Sequence, residues 1–211
     1  MEDLVARIDA PRLGILDIAF FHQLIFDTPQ LAQFISRTPK LKAPDNARLT
    51  FHLSGVRVSL YLTSITTFHL RISCRQSDWQ LPSMAQICSS PFPHALQIAP
   101  MVEDLHIDGG ENFPPHWQED IENSEWPELL RPFTSVKNLS LSQEFAPRIA
   151  LALQELVGER VAEVLPALEN IYFKRHSPSG LVLEAIGEFV ATRQLSGYPV
   201  AVPQFQLPHS V

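Results

Sequence analysis

A short apolar phrase returns along this chain at a nearly fixed interval. It reads VEDLHI at Val102–Ile107, VKNLSL at Val136–Leu141 and LENIYF at Leu168–Phe173, with steps of 34 and 32 residues. A fainter copy, TFHLRI at Thr67–Ile72, stands 35 residues before the first, and LGILDI at Leu13–Ile18 opens the series. Apolar residues hold positions 1, 4 and 6 of the phrase. Side chains alternate between faces along a strand, so positions 4 and 6 share one face and positions 3, 5 and 7 share the other. A unit this small cannot bury its apolar face alone, so successive units must stack on one another.

What lies between the phrases supports such stacking. Each phrase is followed by a loop and then by a helical pattern with a proline near its start: Pro29, Pro82, Pro127, Pro147 and Pro178. Proline suits the first turn of a helix, where its missing N–H is not needed. Gly158 and Gly197 are expected to end the last two long helices. The cadence of strand, loop, helix and loop is that of a leucine-rich repeat. It predicts an α/β solenoid of about six or seven irregular units, with a mostly parallel sheet on the concave side and helices on the convex side. Residues 1–211 are read as a single leucine-rich-repeat-like domain. Two stretches break the rhythm. Ala47–Leu53 and Val56–Leu62 flank Ser54-Gly55 and read as a hairpin, one strand in the ladder and the other in place of a helix. Tyr198–Phe205 reads as a closing edge strand, because Pro199 and Pro203 cannot donate to a ladder. The expected strand order runs from Leu13 to the Ala47 hairpin, then Thr67, Val102, Val136, Leu168 and Val200.

Composition narrows the function. Hydrophobic residues make up 45% and charged residues 18%, a globular balance. The net charge of −7 disfavours a nucleic-acid partner, which selects for excess Lys and Arg. No run approaches the roughly 20 apolar residues of a membrane helix, so no membrane partner is expected. Two cysteines, Cys74 and Cys88, cannot form a disulfide framework and read as small core residues; a cytoplasmic or nuclear setting follows. Trp79, Trp117 and Trp126 are expected to plug gaps between units. The acidic stretch Glu111–Glu128 reads as a solvated loop, with docking of a basic partner as the alternative.

Beyond these patterns the chain resembles the F-box-like leucine-rich-repeat proteins abundant in mushroom-forming fungi. The resemblance rests on RIDAPRLGILDIAFF, FDTPQLAQFISRTPKLKA, ISCRQSDWQL, FTSVKNLSLS and LQELVGERVAEVLPALENI. In such proteins an upstream F-box docks the Skp adaptor of a ubiquitin ligase, and the repeats present a client. The resemblance therefore implies a non-enzymatic, client-recognising scaffold. This chain begins inside the repeats and shows no F-box, which reads as a fragment or as a short member without the ligase-coupling half. The resemblance carries no catalytic residue with it.

On the repeat register, position 5 gives Asp17, Arg71, His106, Ser140 and Tyr172. Position 3 gives Ile15, His69, Asp104, Asn138 and Asn170, and position 7 gives Ala19, Ser73, Asp108, Ser142 and Lys174. Arg and Tyr are frequent anchors in protein interfaces. The expected protein-binding residues are thus Arg71, His106, Asn138, Asn170 and Tyr172, with no cofactor, no metal and no catalytic group. The competing reading is a metal-assisted hydrolase built from His69, Asp104, His106 and Asp108, if His69 lies on the neighbouring strand. Its weakness is that alternate residues of a strand stand about 7 Å apart, too far to converge on one ion without curvature. No G-x-S-x-G, P-loop, HExxH or CxxC motif is present. Leu13–Phe21 is apolar with no cap before it. Self-association through that N-terminal edge is expected, or folding back of Met1–Arg12 as a cap.

Overall fold

The computed structural model describes residues 16–21, 38, 45–62, 65–73, 80–89, 99–110, 125–158, 160–174 and 178–203. Seven strands form one sheet: β1 (Leu16–Phe21), β2 (Asn46–His52), β3 (Gly55–Leu62), β4 (Ile65–Ser73), β5 (Asp104–Gly109), β6 (Asn138–Leu141) and β7 (Asn170–Phe173). Among the described residues five α-helices accompany them, α1 (Gln80–Ser89), α2 (Glu125–Leu130), α3 (Ala146–Gln154), α4 (Arg160–Glu163) and α5 (Gly180–Leu195), with a short 3-10 turn at Ala99–Met101. The sheet order is β1-β4-β3-β2-β5-β6-β7. β1–β4, β2–β5, β5–β6 and β6–β7 pair parallel, while β2–β3 and β3–β4 pair antiparallel. The molecule is a mixed α/β structure.

One face of the sheet is apolar. Ala47, Leu49 and Phe51 of β2 alternate inward, as do Leu105 and Ile107 of β5 and Leu139 and Leu141 of β6, all fully buried. Val56, Val58 and Leu60 of β3 and Leu70 and Ile72 of β4 extend the same face. Ile149, Leu153, Ile186 and Phe189 of the helices join these residues in a single core. Ile171 is buried as expected, but Phe173 is only partly covered at the end of the ladder. Trp126, Phe51 and Phe145 meet with ring centroids 5.0–5.9 Å apart, fixing α2 and the start of α3 against β2. Edge-on and tilted aromatic pairs of this kind add to the area they bury. Trp126 fills a gap as the sequence predicts; Trp79 and Trp117 lie outside the described residues.

The parallel part has a repeating joint. The Asp45 carbonyl accepts from the N–H groups of Glu103 and Asp104, at 2.9 and 3.1 Å. The Glu103 carbonyl accepts in the same way from Lys137 and Asn138, and that of Lys137 from Glu169 and Asn170. Asp45, Glu103, Lys137 and Glu169 therefore occupy equivalent places. This corrects the strand order expected above. The repeat preceding Val102 is not TFHLRI but PDNARL at 44–49, where Ala47 stands in place of the leucine. Both hairpin strands belong to the sheet, and β3 and β4 are inserted between β2 and β1. The β2–β3 connection is tight: His52 pairs with Gly55, leaving only Leu53 and Ser54 in the turn. A Cβ on Gly55 would stand 2.2 Å from the Ile72 carbonyl oxygen, so only glycine fits there.

Proline falls in the first turn of α1, α2 and α3, and Pro178 precedes α5, whose N-cap is Ser179. Helix α3 stops at Gln154, four residues before Gly158 and short of the end that glycine predicts, with Glu155 as its C-cap. Gly158, at φ 60°, instead turns the chain before α4. Gly197 does end α5. Its φ is 85°, its N–H donates to the Gln194 carbonyl, and the next N–H, of Tyr198, reaches the Arg193 carbonyl at 2.8 Å. The expected closing strand reduces to one parallel bridge between Asn170 and Ala201. The helix expected after Thr28-Pro29 and the fate of Met1–Arg12 lie outside the described residues, as does the acidic stretch from 111 to 124.

Candidate functional site

The other face of the sheet is polar, and its side chains fall in rows set by strand register. The first row runs Asn46–Asp104–Asn138–Asn170 across β2, β5, β6 and β7. Asn170 Nδ2 donates to Asn138 Oδ1 at 2.9 Å, and Asn138 Nδ2 donates to Asp104 Oδ1 at 2.7 Å. The amides thus align head to tail toward a carboxylate. Each is half-buried and satisfied by its neighbour, so the pair positions the surface as much as it presents groups to a partner.

The second row is Arg48–His106–Ser140–Tyr172, and it continues through Ser59 of β3 to His69 of β4. His69 Nδ1 lies 2.9 Å from Ser59 Oγ. His106 Nε2 lies 3.4 Å from Asn46 Nδ2, and its buried Nδ1 has no hydrogen-bond partner among the described residues. Burial pushes the His106 pKa down to about 4, helped by the nearby Lys174 and Arg48 cations and opposed by Asp108. The ring is neutral at neutral pH.

The third row centres on Asp108. Arg48 Nε approaches its Oδ2 at 3.2 Å, and Lys174 Nζ reaches both carboxylate oxygens at 2.9 Å. Ser142 Oγ, between them, accepts from the Gly109 N–H at 3.3 Å. Just past the C-terminal end of β5, a Cβ on Gly110 would collide with the His52 ring, 2.2 Å from its Nδ1. The backbone there must be bare for His52 to sit as it does.

These rows bring together some of the expected residues and separate others. Asn138 and Asn170 touch; His106 and Tyr172 share a row with Ser140 between them. Arg71 pairs with Ala19 and Arg57, which puts it in line with Asp108 rather than with His106. The register of the faint phrase is therefore off by two residues, and Arg71 lies about 14 Å of sheet away from β5. The same slip undoes the four-residue metal constellation. His69 is on β4, with β3 and β2 between it and β5, and Asp108 is already engaged by two cations. Among the described residues no group of three or more His, Cys, Asp or Glu side chains is placed to hold a metal ion. Cys88, whose thiol is pushed up to about 12 by burial, packs against the core; Cys74 lies outside the described residues.

Sequence reading missed Asn46, Arg48, Arg57 and Tyr61, because the hairpin was expected between Leu13 and Thr67, with only one strand in the ladder and no register to Val102–Ile107. The echo PDNARL carried the signal for the first two, masked by alanine at the leucine position. Among the described residues no helix is long and apolar enough to cross a membrane. No family model, curated protein or solved structure matches the chain.

Proposed function

We propose that the protein is a non-enzymatic binding scaffold, a leucine-rich-repeat segment whose polar sheet face recognises a protein client, as in the client-recognition part of an F-box-like ubiquitin-ligase subunit. One observation carries this reading. The described helices all contribute to the core on the apolar face, and across β2 to β7 the opposite face presents registered rows of Arg, His, Asn and Tyr side chains. The repeated backbone joint at Asp45, Glu103, Lys137 and Glu169 is what a solenoid of stacked units requires. A rigid sheet with its polar groups mutually fixed is a suitable platform, because little side-chain freedom is lost on docking. Arg71, His106 and Tyr172 are the anchors; Asn138 and Asn170 hold the surface between them.

The test is capture of a client from the source cells with Arg71→Glu and Tyr172→Ala variants. Each is expected to weaken capture while leaving the thermal unfolding transition in place. Undiminished capture by both would remove the polar face from consideration. A purified protein that held a stoichiometric transition metal and hydrolysed a substrate would favour the hydrolase reading instead.

A further inference from the structure

Strands β2, β3 and β4 contain three arginines and two histidines and no aspartate or glutamate, in a chain whose net charge is −7. The three arginines, Arg48, Arg57 and Arg71, all stand on the polar face. Arg57 and Arg71 are directly opposite each other on antiparallel strands. Neighbouring strands are about 4.8 Å apart, and like charges so placed repel. Among the described residues neither has an ion-pair partner, and Arg71 is exposed. Arg48 lies one strand further and two residues along. It is 45% exposed, engages Asp108 through Nε, and its guanidinium stands 5.9 Å from the Tyr61 ring centroid. Among the described residues of β2 to β7 the carboxylates of the polar face stand on β5, as Asp104 and Asp108; on β1, Asp17 is registered with His69.

We propose that this half of the polar face, built on Arg57 and Arg71 with Arg48 at its flank, binds an acidic polypeptide segment. The inference rests on the scaffold reading above and adds the chemistry of the partner. Planar guanidinium groups match carboxylates two bonds at a time. Acidic residues alternating along an extended segment stand about 7 Å apart, comparable to the spacing from the Arg57–Arg71 pair to Arg48. A bound carboxylate would also relieve the repulsion between the opposed arginines. The chain's overall negative charge and the nearby Asp104 and Asp108 disfavour a polyphosphate partner over a peptide that meets only the basic half.

Fluorescence anisotropy with a labelled peptide of alternating Glu and Ser, beside its Gln/Ser counterpart, tests this on the full chain. The Glu peptide is expected to bind and the Gln peptide not, with affinity falling as salt rises. The double variant Arg57→Gln/Arg71→Gln should weaken binding about tenfold or more, each single variant less, and Arg131→Gln, just past α2, not at all. Thermal unfolding supplies a readout independent of ligand: Arg57→Gln alone should leave the midpoint unchanged or raise it, since it removes a like-charge contact. Equal binding by wild type and both single variants would overturn the proposal, as would stronger binding of duplex DNA than of the Glu peptide. If client capture falls with Tyr172→Ala yet is indifferent to Arg57→Gln and Arg71→Gln, the acidic partner is wrong while the scaffold reading stands. If none of the three matters, both fall.

Discussion

Arg193 shows how much one side chain can hold. It is 1% exposed, and its guanidinium donates to four backbone carbonyls: Tyr198, Val161, Pro166 and Leu168, at 3.0–3.3 Å. Those carbonyls belong to α4, the reversal after it and the cap of α5, so one cation ties three segments together. Leu165, in that reversal, has φ 51°, a conformation that costs a non-glycine residue energy unless its surroundings enforce it. Arg193→Met keeps the length and removes the donors. It should cost on the order of 3 kcal/mol or more, read as a lower urea midpoint. Arg193→Lys should recover only part of this loss, because an ammonium lacks the planar fork. His106 makes a prediction in pH. Its folded pKa of about 4 lies below the ordinary 6.5, so between those values the unfolded chain binds the proton more strongly. Stability should therefore rise with pH across that window, by about 3 kcal/mol at most, and be constant above it so far as this group is concerned. Urea titrations of wild type and His106→Asn at pH 4.5 and 7.5 check it; identical pH slopes would show that His106 is not the linked group.

Among the elements, the short parallel strands do the most per residue. β6 is only Asn138–Leu141, yet Leu139 and Leu141 are fully buried between layers contributed by β5 and β7. Leu139→Ala should cost on the order of 2–5 kcal/mol, because a stacked layer cannot collapse into the cavity without displacing both neighbours. Equilibrium denaturation measures it, and a loss well under 1 kcal/mol would mean that the layer relaxes freely. These strands were legible in the sequence because period-2 alternation and the 34- and 32-residue steps reinforce one another. The polar rows on β5 to β7 followed from the same register. The hairpin was legible as a hairpin but not in its place. Alternation identifies a strand and its faces, whereas the choice of neighbour depends on backbone joints such as that at Asp45, which leave no side-chain pattern. TFHLRI also satisfies the repeat phrase two residues out of register, since any alternating strand fits a 4-and-6 template at every second offset. Arg193 was illegible for a related reason: its partners are carbonyls, and carbonyls have no signature in a sequence.

At the scale of the molecule, strands β2 to β7 divide into a basic part on β2 to β4 and a mixed part on β5 to β7, joined where Arg48 meets Asp108, with β1 along the outer side of β4. The polar face is the surface through which a partner is expected to dock, with the core and the helices behind it as support. Exposed apolar side chains on the helical side offer the contrasting surface: Leu181 is 79% exposed and Leu183 49% exposed on α5. The most direct test is a photo-crosslinking amino acid placed singly at Ser142 or Tyr172 on the polar face, and at Leu181 or Leu183 on α5, followed by capture of the partner under identical conditions. Crosslinks from Ser142 and Tyr172, with none from α5, are the predicted result. Crosslinks from Leu181 or Leu183 with a silent polar face would contradict it and make the helical side the binding surface.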